Sequence, residues 1–115
     1  MPQYDWSKVP LEQLNPQMTR QMVHTERLTI ARLGLKKGAT VPEHRHENEQ
    51  FSMIESGCLK FVLAGEVVVV PAGQALHIPP NVPHSAEALE DTLAIDVFSP
   101  PRQDWISGDD AYLRK

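Results

Sequence analysis

Three histidines and a glutamine are the residues of this sequence best placed to do chemistry. His44 and His46 stand two apart, and Gln50 follows four residues after His46. Side chains on an extended segment alternate between its two faces, so these three share one side if the strand is regular. Imidazole nitrogens and an amide carbonyl oxygen converging on one interior make a donor set for a divalent first-row metal. A fourth candidate, His84, comes after the proline-rich stretch at residues 79–83. Nickel, zinc, manganese, iron and cobalt all accept such donors, so the metal's identity stays open. Glu49 competes with Gln50 for the fourth position, but on a regular strand it faces the other way. His24 and His77 lie outside the spacing and read as structural or exposed.

The rest of the chain has to bring His84 beside the other three. Residues 1–18 are polar and punctuated by Pro2, Pro10 and Pro16, and read as a surface arm anchored by Trp6, with a short turn near Leu11 and Leu14. Residues 19–35 alternate like strands, and Lys36-Lys37-Gly38 is a turn signal. Residues 51–55 continue the strand that begins at the histidines, and Ser56-Gly57 turns it. The apolar runs at 59–63 and 67–70, separated by Ala64-Gly65-Glu66, predict a hairpin. Residues 75–78 predict a short strand. Residues 84–89 and 92–98 predict a last hairpin about Glu90-Asp91. A barrel of residues 19–98 is followed by a tail, 99–115, with a helical turn at 109–114. Many short strands, regular turns and no amphipathic helix indicate an all-β sandwich or barrel.

Composition narrows the partners. At 115 residues the chain suits one domain, and ten prolines against six glycines suit a turn-rich β protein. A formal charge of −4 argues against nucleic acid or an anionic membrane surface, which favour a basic patch. No apolar run approaches the roughly 20 residues of a membrane helix. The start of the sequence lacks the basic-then-apolar pattern of a signal peptide, so a cytoplasmic location is expected. Cys58 is the only cysteine, which excludes an intrachain disulfide and a thiolate zinc cluster; it reads as a small buried filler.

Two spacings in order resemble the cupin superfamily, whose fold is the double-stranded β-helix or jelly-roll barrel. Gly38, His44, His46 and Gly57 fall on the first cupin motif, with Gln50 where the motif has glutamate. Gly73, Pro79 and His84 fall on the second, with Asn81 in place of a glycine and Ala88 in place of an asparagine. The resemblance covers residues 29–98 and implies a metal on His44, His46, Gln50 and His84. A neutral amide in place of the carboxylate would leave the ion a stronger Lewis acid.

A narrower resemblance rests on Gln50 and on the stretch DVFSPPRQDW. It is to small bacterial cupins of the pectin-degradation, KdgF-like type, which open the ring of 4,5-unsaturated uronates to linear keto-deoxyuronates. In that family an aspartate, a phenylalanine and an arginine serve the reaction, and Asp96, Phe98 and Arg102 stand at matching positions. The resemblance implies Asp96 as general acid/base, Arg102 as the clamp on the substrate carboxylate and Phe98 against the sugar's apolar face. Each residue also has a plainer reading. Asp96 and Phe98 share one face of their strand, so Asp96 can pair with an interior arginine such as Arg32; Phe98 can be core; Arg102 can be a surface charge. Trp105 and Tyr112 read as packing for the tail. Two alternatives remain open: an iron-dependent dioxygenase, which the same ligand set permits, and a non-catalytic small-ligand-binding cupin. A homodimer is expected, with residues 19–25 lying across a twofold partner.

Overall fold

A computed structural model describes residues 2–115. After a 3-10 turn at Trp6–Lys8, ten strands follow: β1 (Glu12–Asn15), β2 (Met18–His24), β3 (Thr29–Leu35), β4 (Thr40–His44), β5 (Glu49–Ser56), β6 (Cys58–Leu63), β7 (Glu66–Pro71), β8 (Ala75–Ile78), β9 (His84–Ala88) and β10 (Thr92–Ser99). A short helix, α1 (Gln103–Ile106), and a 3-10 turn at Ala111–Leu113 complete the chain. Six strands form one sheet in the order β1-β2-β3-β10-β5-β8, and four form a second in the order β4-β9-β6-β7. Every pairing is antiparallel. This is the all-β jelly-roll barrel that the sequence predicts.

Alternation explains which side chains enter the barrel. Along β10, Thr92, Ala94, Asp96 and Phe98 are buried, while Leu93, Ile95 and Val97 face outward and are half-buried. Along β5, Gln50, Ser52 and Ile54 are buried and their neighbours exposed. Leu35, Ile54 and Ala94 of the larger sheet meet Leu59, Phe61 and Val70 of the smaller one in the core. Removing a large core side chain such as that of Phe61 would cost about 3–5 kcal/mol. The apolar core fills one part of the barrel and leaves the inward polar residues of β5 and β10 at another.

Two turns need special backbone. Gly57 has φ of 85°, and a Cβ there would collide with the Asp91 carbonyl. Asn81 has φ of 63°, a left-handed conformation that asparagine tolerates better than most residues. That explains how it stands where the cupin motif has glycine. Its backbone N–H donates to the His46 carbonyl at 2.8 Å, tying the proline-rich connection to the histidine segment.

The structure corrects several sequence expectations. β9 and β10 are not a hairpin. β9 pairs with β4 and β6, and β10 pairs with β3 and β5 in the opposite sheet. Both edges of each strand are already taken, so Glu90-Asp91 is a corner where the chain changes sheet. In the arm, residues 12–15 form an edge strand on β2 rather than a turn, and the turn lies earlier, at Trp6–Lys8. β2 is paired on both edges, by β1 and β3, so it offers a partner a face and no free edge.

Candidate metal centre and the cavity around it

The histidines are not on one regular strand. β4 ends at His44, β5 begins at Glu49, and His46 lies in the crossing between the two sheets. They still converge, for a topological reason. The β4–β9 register sets His44 opposite His84, and the crossing carries His46 over the same barrel end. The candidate ligand atoms of His44, His46 and His84 all lie within 4.8 Å of one another.

Each ring is oriented the same way. Nδ1 of His44 lies 2.8 Å from the Pro42 carbonyl, that of His46 3.0 Å from the Asn48 carbonyl, and that of His84 2.7 Å from the Val82 carbonyl. A carbonyl only accepts, so each Nδ1 carries the proton and each Nε2 presents a lone pair. Burial holds His44 and His46 near a pKa of about 4 and also lowers His84, with the backbone carbonyls opposing. All three are therefore neutral at pH 7, the form that binds metal.

Two observations test whether these residues fit a cation. His84 Nε2 is buried and has no hydrogen-bond partner among the described residues. His46 Nε2 lies 3.0 Å from Gln50 Oε1. With the proton on Nδ1, that contact sets two lone pairs against each other. Turning the amide over would relieve it only by giving up the donation of Gln50 Nε2 to Ser52 Oγ at 2.9 Å and to Asp96 Oδ2 at 3.4 Å and setting Oε1 against the Asp96 carboxylate. A cation shared by the two acceptors satisfies both, so the donor set fits a divalent metal. Glu49 points outward and pairs with exposed His77 at 2.7 Å. His24 Nδ1 lies 2.8 Å from Thr29 Oγ1, away from the cluster.

The candidate catalytic residues border the same cavity. Asp96 is buried beside Gln50, and burial raises its carboxyl to about 6 against the pull of Ser52 and Arg102. Arg32 is not its partner, since it faces the outer side of the sheet and donates to Gln21 Oε1 at 3.1 Å. Arg102 is not a surface charge: only 1% of it is exposed. Its Nε and Nη2 donate to Asp104 at 2.9 and 2.8 Å, and Nη2 also donates to the Tyr112 hydroxyl at 2.9 Å. Its plane lies 4.0 Å from the Trp105 ring centre and 4.8 Å from that of Phe98. Phe98 is fully buried as the floor beneath Arg102, edge-on to His46 at 5.7 Å.

Sequence reasoning missed Ser52 and Asp104 here and read Tyr112 only as packing for the tail. Ser52 fixes the Gln50 amide, and its place two residues after Gln50 on one strand was the available signal. Asp104 orients Arg102, and no spacing rule pointed to it. Tyr112 stands against His44, ring centres 5.0 Å apart, although it is 28 residues beyond His84.

The barrel, its three motif glycines and its histidine cluster define a class, and the comparisons agree with it. Residues 31–98 match the Cupin domain family, and the chain belongs to that family. Within it, the chain is similar to the pectin degradation protein KdgF of Dickeya dadantii, with 28% identity over 86% of this chain and 93% of that protein. The solved structure of KdgF from Halomonas sp. is 31% identical over 86% of this chain and 93% of that one, with a TM-score of 0.80. An RmlC-like cupin from Shewanella frigidimarina is 28% identical over 89% and 93%, with a TM-score of 0.83. Among the described residues no helix is long and apolar enough to cross a membrane.

Proposed function

We propose that this protein is a metal-dependent cupin that opens the ring of 4,5-unsaturated uronates released from pectin or alginate, giving linear keto-deoxyuronates. The observation that carries the reading is one shared cavity. It is bordered by His44 and His84, whose partner in the cluster is His46, by the Gln50 side chain, by a buried carboxyl at Asp96 and by a buried cation at Arg102. The similarity to two KdgF proteins over most of the chain supports the same substrate class.

The reaction moves one proton and makes one bond exchange. The hemiacetal hydroxyl loses its proton as the ring C–O bond breaks, leaving an aldehyde and an enolate. Protonation of the neighbouring carbon then gives the ketone. Asp96 takes the hydroxyl proton and returns one to carbon, a role suited to a carboxyl raised to about 6. Arg102 holds the substrate carboxylate. Its Nε and Nη2 are committed to Asp104 and Tyr112, which leaves Nη1 as the donor for the substrate. Phe98 keeps the floor of the site dry and supports Arg102 from below. A divalent metal on His44, His46, Gln50 and His84 would supply Lewis-acid stabilisation of developing negative charge on oxygen.

The test follows loss of the ultraviolet absorbance of the conjugated double bond of an unsaturated monouronate, with His46→Ala as control. Acceleration that vanishes in the variant supports the reading, and no acceleration with any of nickel, zinc, manganese, iron or cobalt overturns it. Oxygen consumption with iron would favour the dioxygenase instead. A homodimer is part of the proposal. The outer face of the six-stranded sheet presents Phe51 and Met53, 47% and 40% exposed, beside half-buried Ile30, Ile95 and Val97. Light scattering checks it, with twice the chain mass expected. Cytoplasmic location completes the proposal, supported by a lone cysteine that is free and buried; cell fractionation checks it.

A further inference from the structure

The hydroxyl of Tyr112 is bonded in an informative way. Arg102 Nη2 donates to it at 2.9 Å, and Trp105 Nε1 donates to it at 3.2 Å. A phenol oxygen has two lone pairs and one O–H, and both incoming groups are donors only. The two lone pairs are therefore used, and the O–H is left to donate. No acceptor for it exists among the described residues within hydrogen-bond distance, yet the side chain borders the cavity that Gln50, His84 and Asp96 share.

The tail that carries Tyr112 is firmly seated. Leu113 is buried, and its carbonyl accepts from Asn15 Nδ2 at 2.8 Å. Just before the turn, Asp110 accepts from buried Arg20 at 2.6 Å and from Arg114 at 3.0 Å. The ring packs against His44, and the turn against β4. Ordering the hydroxyl is thus completed on folding and is not a cost of binding.

We propose that Tyr112 is a substrate-contacting residue whose O–H donates to an oxygen of the bound acid beside Arg102, making the C-terminal turn a wall of the site. The ligand class is a carboxylate, whose oxygens accept from the Tyr112 O–H and Arg102 Nη1 together. The inference rests on the acidic-sugar reading above, but not on turnover.

The experiment compares wild type with Tyr112→Phe, which keeps the ring on His44 and removes the O–H donor together with the acceptor that Arg102 Nη2 and Trp105 Nε1 use, so the variant's packing is checked before its binding is read. Metal content and near-ultraviolet circular dichroism are measured first and are expected to be unchanged. Calorimetric titration uses D-galacturonate, a saturated and unreactive uronate, and neutral D-galactose. The expected result is about tenfold weaker galacturonate binding in the variant, which corresponds to 1.4 kcal/mol. Galactose binding should be unaltered, and KM for unsaturated uronate should rise by a similar factor with a smaller change in kcat. Equal galacturonate affinity in the two proteins, or none in the wild type, overturns the proposal. Wild-type binding of galacturonate together with no ring opening of the unsaturated uronate would remove the reaction reading while leaving the Tyr112 comparison decisive.

Discussion

His46 Nε2 and Gln50 Oε1 face each other at 3.0 Å, and neither has a proton to offer. The arrangement is built in from both sides: the Asn48 carbonyl fixes the histidine tautomer, and Ser52 and Asp96 fix the amide. Such a contact is repulsive without a cation and attractive with one.

Metal should therefore stabilise the fold strongly. Metal at a hundred times its dissociation constant adds about 2.7 kcal/mol to stability. We expect the melting temperature of chelator-treated protein to rise on adding a divalent transition metal, and His84→Ala to abolish the rise. Gln50→Glu should bind metal more tightly by about tenfold, or 1.4 kcal/mol, while slowing turnover, because the added negative charge weakens the Lewis acid. Calorimetric metal titration and steady-state rates check both halves. A variant that gains affinity and speed together would count against the amide's proposed role.

Stability of the metal-free protein should climb between pH 4 and 6.5. The folded histidines sit below their ordinary 6.5, at about 4 for His44 and His46. In that window the unfolded chain holds protons that the folded chain does not, so raising the pH favours folding. His44 and His46 each contribute about 1–3 kcal/mol after allowance for the water that reaches them, and His84 acts in the same direction. Asp96 acts in the opposite sense. Its folded value, raised from 3.8 to about 6, makes stability fall as pH rises through that range. Three histidines against one carboxyl leave a net rise. Urea unfolding of metal-free protein at intervals from pH 4 to 7 checks the slope, and Asp96→Asn should steepen it.

The barrel and the metal cluster were legible in the sequence for different reasons. Strand alternation gave β2, β3, β5 and β10 as strands and the inward faces of β5 and β10, because one buried side imposes a period of two, while Arg32 on β3, read as interior, faces outward. The cluster was legible through motif spacing, although the reasoning that put His44, His46 and Gln50 on one strand was wrong. The chain crosses between sheets at His46, and convergence comes from the β4–β9 register, a long-range property that no local pattern encodes. The same limit turned the β9–β10 corner into an expected hairpin. Asp104 escaped notice, and Tyr112 was read only as packing, because their importance lies in what they touch, Arg102, across a tail with no periodicity of its own.

Asp96 should separate activity from stability. As a proton shuttle its loss costs about a hundredfold to ten-thousandfold in rate. As a buried carboxylate above pH 6 it is a burden on the fold. Asp96→Asn keeps the shape and can still accept from Gln50, so it should be inactive and yet more stable at pH 8 by about 1–3 kcal/mol. Paired rate and urea measurements at pH 8 decide. A variant that loses activity and stability together would make Asp96 a structural residue.

The tail should fail at Asp110 before it fails at Arg114. Arg20 is 1% exposed, points into the barrel and stacks on Trp105 at 4.7 Å, with its charge met by Asp110 at 2.6 Å and Glu12 at 3.1 Å. Removing one partner of a buried pair costs about 3–5 kcal/mol where the other charge is left uncompensated, whereas replacing both can be nearly neutral; Arg20 keeps Glu12, so the loss of Asp110 falls below that range. Asp110→Ala should accordingly destabilise by several times more than Arg114→Ala, whose guanidinium is 43% solvent-accessible. Arg20→Met combined with Asp110→Ala should recover most of the loss, since a methionine can occupy the space beside Trp105. Because Trp105 also stacks on Arg102 and donates to Tyr112, Asp110→Ala should raise KM for the uronate as well. Urea unfolding of the three variants with KM measured on each checks the chain of contacts. A destabilised Asp110→Ala protein with unchanged KM would confine the ion pair to holding the fold.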